Sequence, residues 1–287
     1  VGEEPITATV NPKPLEIERK VTARKPYDGT KEAIVNIGEL KTGVDGEEIN
    51  VTETYAEYDS AEVDASSITI TYTLKAGENT NLANYTVSTD GGKITDGLGT
   101  ETVTTVDGIP VGITPASITV AIKDQKKVYD GSAPTVSNVK DTDWEVTDGQ
   151  IYQLVPDTED NLDITLSIDS GSKNAGAYAI TGEWTNKNYD VTFTGSWTGG
   201  TAGTYTITPR PIKVEIGNAE GFYGDEPDKT KVELTDISEG NPDTGLVSGD
   251  SLDDFLSGVT IDATASTGVG NDYSIVGEAQ KYGNYDV

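Results

Sequence analysis

Histidine, cysteine and methionine are all absent from this chain. Without histidine there is no imidazole to act as a base near neutral pH, no Ser-His-Asp or Cys-His pair, and no imidazole ligand for zinc. Without cysteine there is no thiolate nucleophile, zinc knuckle or iron–sulfur cluster, and no disulfide can brace the fold. The chain must be held by packing and hydrogen bonds alone. The absence does not fix the redox compartment, because it suits an oxidising exterior as well as a cytosol. No run of about 18 apolar residues occurs, so no membrane-spanning helix is expected. The opening VGEEPITATV has no basic region followed by an apolar stretch, so no signal peptide is expected there. The chain reads as a mature fragment of a longer protein.

Basic side chains are also scarce: 20 Lys and Arg face 49 Asp and Glu, a formal charge of −29. Such a chain repels phosphates and anionic lipid, so neither nucleic acid nor membrane insertion is expected among its partners, and a soluble monomer is. Hydrophobic residues reach only 34% while 32 of 287 positions are glycine. That composition suits small β domains with many turns better than one large core, and the length allows two or three of them.

Internal repetition organises the sequence. Tyr27-Asp28-Gly29 and Tyr129-Asp130-Gly131 are 102 residues apart, and a variant, Tyr223-Gly224-Asp225, follows 94 residues after the second. Asn84-Tyr85, Asn188-Tyr189 and Asn284-Tyr285 keep step, as do the proline-led apolar segments NPKPLEI, TPASITV and TPRPIKV at Pro12, Pro115 and Pro209. Three markers in one order, three times over, predict tandem units at 1–113, 114–208 and 209–287. The third stops at NYDV and so is expected to lack its last strands and to carry an unpaired sheet edge. The linkers ITPAS and ITPRP are minimal, and proline stiffens such joints.

Period-2 alternation dominates. Ile68, Ile70, Tyr72 and Leu74 share one face, as do Ile118, Val120 and Ile122, with threonine interleaved. Clusters such as TDGG and TGGTAG supply turns. The pattern predicts an all-β fold: three tandem Ig-like β-sandwich domains in an extended rod, with β-grasp-like modules as the alternative. One segment differs. In SGDSLDDFLSG, Leu252, Phe255 and Leu256 stand at i, i+3, i+4 behind Ser251 as a cap, with Asp254 as a capping-box partner and Gly258 as a stop, which predicts a short helix.

The order of strand, YDG(T/S), variable middle, NYxV and closing xYxITP resembles the YDG and MBG tandem repeat domains of bacterial cell-surface, adhesin-like proteins. The FYGDEPD segment with LVSGDSL is similar to their YGD-type variant. The resemblance implies a secreted or wall-attached location outside a bacterium, and no catalytic residues to carry over.

Each candidate site has a plain alternative. The three Tyr-Asp-Gly or Tyr-Gly-Asp motifs are expected to be tight turns with the Tyr ring in the core, and the three Asn-Tyr pairs to tie a turn to backbone groups with the Tyr buried. Lys25 with Asn84, and Lys127 with Asn188, are the pairs to test for a Lys–Asn isopeptide bond. Trp144, Trp184 and Trp197, all in the second unit, are candidates for glycan stacking, although the parity of Trp184 and Trp197 with Ile180 and Phe193 favours a core or half-core setting. Calcium is the one ion considered, at Asp141/Asp143/Glu145, Asp157/Glu159/Asp160 or Asp250/Asp253/Asp254, yet none matches a calcium loop and solvated turns are the expected state. No cofactor is expected. The functional expectation is a non-catalytic structural stalk or adhesin region. The alternative is a module binding host glycan or mucin, with the second unit as reader. A hydrolase using paired carboxylates is a third class, disfavoured because small sandwiches seldom provide a deep cleft.

Overall fold

The computed structural model describes residues 8–88, 92–155, 158–168, 171–270 and 273–287. They form an all-β chain, with helical turns confined to three short 3₁₀ segments, Leu82–Asn84, Lys229–Lys231 and Leu252–Gly258. The chain divides into two compact units. One comprises residues 1–118, 149–163 and 185–191, and the other 119–148, 164–184 and 192–287.

In the first unit the alternating segments pair as their pattern requires. Ile49–Tyr58 runs antiparallel to Ile68–Ala76, in register from Ile49↔Ala76 to Tyr58↔Ile68, and Ile68–Ala76 pairs on its other edge with Leu98–Val103. Ile68, Ile70 and Tyr72 are fully buried and Leu74 nearly so, while the intervening threonines face away. Burial of such side chains contributes roughly 1.5–3 kcal/mol each. Glu16–Val21 pairs antiparallel with Val35–Lys41. Two parallel contacts close the unit: Lys13–Pro14 with Tyr85–Thr86, and Gly112–Thr114 with Arg24–Pro26. A buried carboxylate, Glu101, is held inside by the Tyr72 hydroxyl, which donates to it, and by Arg19 Nε at 3.2 Å.

In the second unit a four-stranded sheet is ordered Gln125–Val128, Gly203–Thr208, Gly176–Glu183, Thr165–Ile168. Its first pair is parallel, from Gln125↔Tyr205 to Val128↔Thr208, and the others are antiparallel. Residues 210–287 add Arg210–Pro211 parallel to Tyr285–Asp286, Val214–Ile216 antiparallel to Leu234–Asp236, and Val259–Ile261 antiparallel to Ile275–Gly277. The strands Ala116–Ile122 and Tyr189–Thr194 are neighbours in one sheet with Trp144–Asp148. Ile118, Val120 and Ile122 are all buried, as their alternation predicts.

The short helical segment is present, but as a 3₁₀ helix. Ser251 caps it by accepting from Asp253 N at 3.1 Å, and Asp254 takes no part in the cap. Seven residues are too few for α-type bonds to gain over the tighter turn. Phe255 is buried beneath it, and Gly258 is required at its end: a methyl there would lie 1.5 Å from Tyr282 Oη.

Two of the proline-led segments each break a strand at a single residue. Pro115 alone separates the strand Gly112–Thr114 from Ala116–Ile122, and Pro209 alone separates Gly203–Thr208 from Arg210–Pro211. Residues 217–222, ahead of the third tyrosine motif, belong to no strand.

Candidate functional site: two tyrosine–carboxylate clusters

The YDG turns are built locally from lysine, aspartate and a hydroxyl. Lys25 Nζ donates to Asp28 Oδ1 at 2.8 Å and to Thr30 O and Oγ1 at 2.9 and 2.8 Å, while Thr30 N and Oγ1 donate back to Asp28 Oδ1. Lys127, Asp130 and Ser132 repeat this arrangement with Nζ–Oδ1 again at 2.8 Å. Gly29 and Gly131 occupy φ of 76° and 75°, a left-handed conformation that glycine adopts without steric cost. Burial pushes the Asp130 carboxyl up, but the Lys127 ammonium and the Ser132 hydroxyl and amide outweigh it and hold its pKa at about 2. Both lysines suspected of isopeptide chemistry therefore spend their ammonium groups on the turn. The aspartates act as latches, each through its Oδ1.

The latch aims the preceding tyrosine into a cluster. In the first unit Tyr27 is fully buried, and its hydroxyl donates to Asp160 Oδ2 at 3.0 Å. Its ring meets the edges of Tyr189 at 5.3 Å and Tyr152 at 5.9 Å. Tyr189 Oη accepts from Tyr152 N at 3.0 Å, and Asn186 Nδ2 donates to Asp160 Oδ2 at 3.1 Å. The backbone is pinned alongside: Tyr27 N donates to Thr114 O, Ala116 N donates to Asn188 O, and Asn188 Oδ1 accepts from Val63 N.

The second unit holds the same constellation. Tyr129 Oη donates to Asp250 Oδ2 at 3.0 Å, and Tyr285 Oη donates to the same oxygen at 2.6 Å. The two rings meet edge-to-face at 5.6 Å and 77°. Tyr285 Oη accepts from Val247 N at 2.9 Å, and Phe255 closes the cluster at 5.5 Å from Tyr285. Tyr129 N donates to Thr208 O, Arg210 N to Asn284 O, and Ala175 N to Asn284 Oδ1. Here Arg210 adds a clamp, with its guanidinium donating to the carbonyls of Tyr129, Pro242, Thr244 and Gly245.

Edge-to-face rings and a phenol bonded to a carboxylate stabilise together. Burial, then the adjoining carboxylate, pushes the phenols of Tyr27, Tyr129 and Tyr285 above the ordinary tyrosine value. Burial raises Tyr189 to about 12, against the counter-effect of the Tyr152 amide. These are neutral hydroxyls fixed as donors, with no means of serving as bases near neutral pH.

The other sequence candidates fall differently. Tyr223 is 70% exposed and its neighbour Phe222 81% exposed, so the expectation of a core ring fails at the third motif. It lacks the lysine latch, since Gly221 and Phe222 stand before it, and Asp225 N turns back to Phe222 O. Tyr85 is buried and donates to Glu47, and Asn84 is exposed rather than tying a turn as Asn188 and Asn284 do. Trp144 is buried, which removes it from any glycan-stacking surface. Trp197 is half-buried, and Trp184 is 37% exposed with its ring against Phe193.

Four of the acidic candidates have partners within the chain. Asp143 accepts from Ser137 N and Oγ, Val139 N and Gln125 Nε2; Glu145 pairs with Lys123; Asp160 and Asp250 are the cluster acceptors. Asp157 and the Glu159 side chain lie outside the described residues. Among the described residues no group of three acidic side chains is placed to hold a metal. Sequence reasoning missed the role of Asp160 and Asp250, which it noted only as members of acidic runs.

No curated protein and no solved structure matches the chain. The family model of the YDG domain matches residues 11–92, the stretch from the first proline-led strand through the Lys25–Thr30 latch to beyond Tyr85, and this part of the chain is similar to a YDG domain.

Proposed function

We propose that this chain is a non-catalytic stalk or adhesin region of a bacterial cell-surface protein, built of tandem YDG-type modules at 1–113, 114–208 and 209–287. Each module is read as an Ig-like sandwich, and the modules are joined end to end as a rod. The observation that carries this reading is the recurrence of the tyrosine–carboxylate cluster. Tyr27 reaches Asp160 and Tyr189, and Tyr129 reaches Asp250 and Tyr285, so each YDG tyrosine binds a carboxylate and an Asn-Tyr strand of the next module. Within these joints the catalytically useful groups are locked in structural bonds, and the geometry favours stiffness over chemistry. Small-angle scattering tests the reading: a radius of gyration near the ~19 Å of a compact chain of this length overturns the rod, and a much larger value supports it.

A further inference from the structure

The strand Glu16–Val21 pairs with Val35–Lys41 on one side and, among the described residues, with nothing on the other. The same chain shows that position filled. Ala116–Ile122, which follows Pro115 as this stretch follows Pro12, has two neighbours, Trp144–Asp148 and Tyr189–Thr194. Val120 is 0% exposed, whereas Ile17, its counterpart 103 residues earlier, is half-buried. Beside Ile17 the neighbouring strand has ended. Leu15 N donates to Thr86 O, but Ser88 O accepts from Thr86 Oγ1 at 2.9 Å and not from Ile17 N. Thr86 also bridges antiparallel to Lys93, so the chain reverses between them. Leu15 N points to this side and Thr22 N to Ile34 O on the other. Alternation along the strand therefore turns the N–H and C=O of Ile17, Arg19 and Val21 to the open edge. Glu16, Glu18 and Lys20 are exposed on the outer face, while Arg19 turns inward to Glu101 at 3.2 Å.

We propose that this edge pairs with the same edge of a second copy of the chain, antiparallel about a two-fold axis at Arg19. In that register Ile17 of each copy exchanges main-chain bonds with Val21 of the other, and Arg19 exchanges them with its counterpart. Glu18 of each copy then faces Lys20 of the other. These are the non-hydrogen-bonded pairs, whose side chains approach closest, with Cβ atoms ~4.5–5.5 Å apart. The registers one step to either side set Glu18 against Glu18 or Lys20 against Lys20, and like charges directly opposite are destabilising. Arg19 meets Arg19, but each guanidinium is turned to its own Glu101. Charged side chains ordinarily guard an edge against pairing; these are spaced so that one alignment attracts. The inference stands apart from the stalk reading, since it needs only this edge.

The test is sedimentation velocity of the whole chain over a range of concentrations, with amide hydrogen exchange on dilute and concentrated samples. An edge of 6 residues is a small interface and the net charge of −29 opposes association, so a dissociation constant of about 100 µM is expected. New protection on association should fall on the amides of Ile17, Arg19 and Val21. Glu18→Lys makes the chain less negative and so lowers its general self-repulsion, yet it should weaken the dimer at least about tenfold by setting Lys against Lys20. Adding Lys20→Glu restores the opposite charges and should bring the dimer back to within about threefold of the original. The inference is overturned by a monomer persisting to about 1 mM, by a Glu18→Lys chain that dimerises as well as the original, by a double reversal that recovers nothing, or by protection appearing elsewhere. Edge amides already protected in the dilute monomer overturn it too, because another segment of the same chain then fills the edge.

Discussion

Removing one hydroxyl, Tyr27→Phe, tests whether the clusters hold the chain together. The ring stays, so the edge contacts at 5.3 and 5.9 Å survive, and only the donation to Asp160 is lost. A hydrogen bond to a charged acceptor is worth ~1.5–3 kcal/mol. Asp160 keeps Asn186 Nδ2 on the same oxygen and Asn161 N on the other, so it is not orphaned, and the loss should sit near the lower bound at ~1.5 kcal/mol. Tyr27→Ala also removes the ring and should cost ~3–5 kcal/mol. Tyr223→Phe, at an exposed site, should stay within ~0.5 kcal/mol. Urea unfolding followed by tryptophan fluorescence reports these differences, since Trp144, Trp184 and Trp197 flank the cluster strands in sequence. A Tyr27→Phe/Asp160→Asn cycle should give a coupling of ~1 kcal/mol or more. Equal effects at Tyr27 and Tyr223, or a coupling near zero, would refute the reasoning. The pH dependence gives a second arm. A phenol whose pKa is raised on folding stabilises fully below the unfolded value of 10.0 and loses that contribution as pH climbs through the folded one, about 12 for Tyr189. Stability should therefore hold to about pH 10 and fall above it.

Further outcomes are expected. The lowered Asp130 pKa supplies stability above the unfolded value of 3.8 that is lost as pH falls through about 2. Because Asp130 is about half exposed, Lys127→Met should cost under ~1 kcal/mol at pH 7 and flatten this acid dependence, as read by unfolding between pH 5 and pH 2. Arg19→Met leaves Glu101 buried with only the Tyr72 hydroxyl and should destabilise by ~2 kcal/mol; adding Glu101→Leu should recover much of it in thermal unfolding. Gly258→Ala must displace the Tyr282 hydroxyl and should cost ~1–3 kcal/mol, relieved when Tyr282 is also cut to Ala.

The strand faces were legible because alternation is a local signal. Ile68 to Leu74 and Ile118 to Ile122 are buried where period 2 puts them. The segment ending at Gly258 was legible for the same reason, its apolar spacing being that of a helix. The cluster acceptors were not. Glu47, Asp160 and Asp250 precede their Asn-Tyr tyrosines by 38, 29 and 35 residues, so loops of different length hide the correspondence. The parallel pairs join segments about 80–90 residues apart, a distance over which no local pattern speaks. Tyr223 was misread because its motif resembles the others while its surroundings do not: without the lysine latch and a partner cluster, the same side chain lies in solvent.

The parallel pairing of Gln125–Val128 with Gly203–Thr208 has a mechanical consequence. Tension applied at both ends of this stretch of polypeptide pulls the earlier strand toward its amino end and the later one toward its carboxyl end. For neighbours running the same way, those pulls slide one strand along the other. Their main-chain bonds then share the load and must break nearly together, whereas a hairpin pulled at its open end gives way one rung at a time. A proline-broken strand leading straight from Thr208 into Arg210 passes the pull onward with little slack.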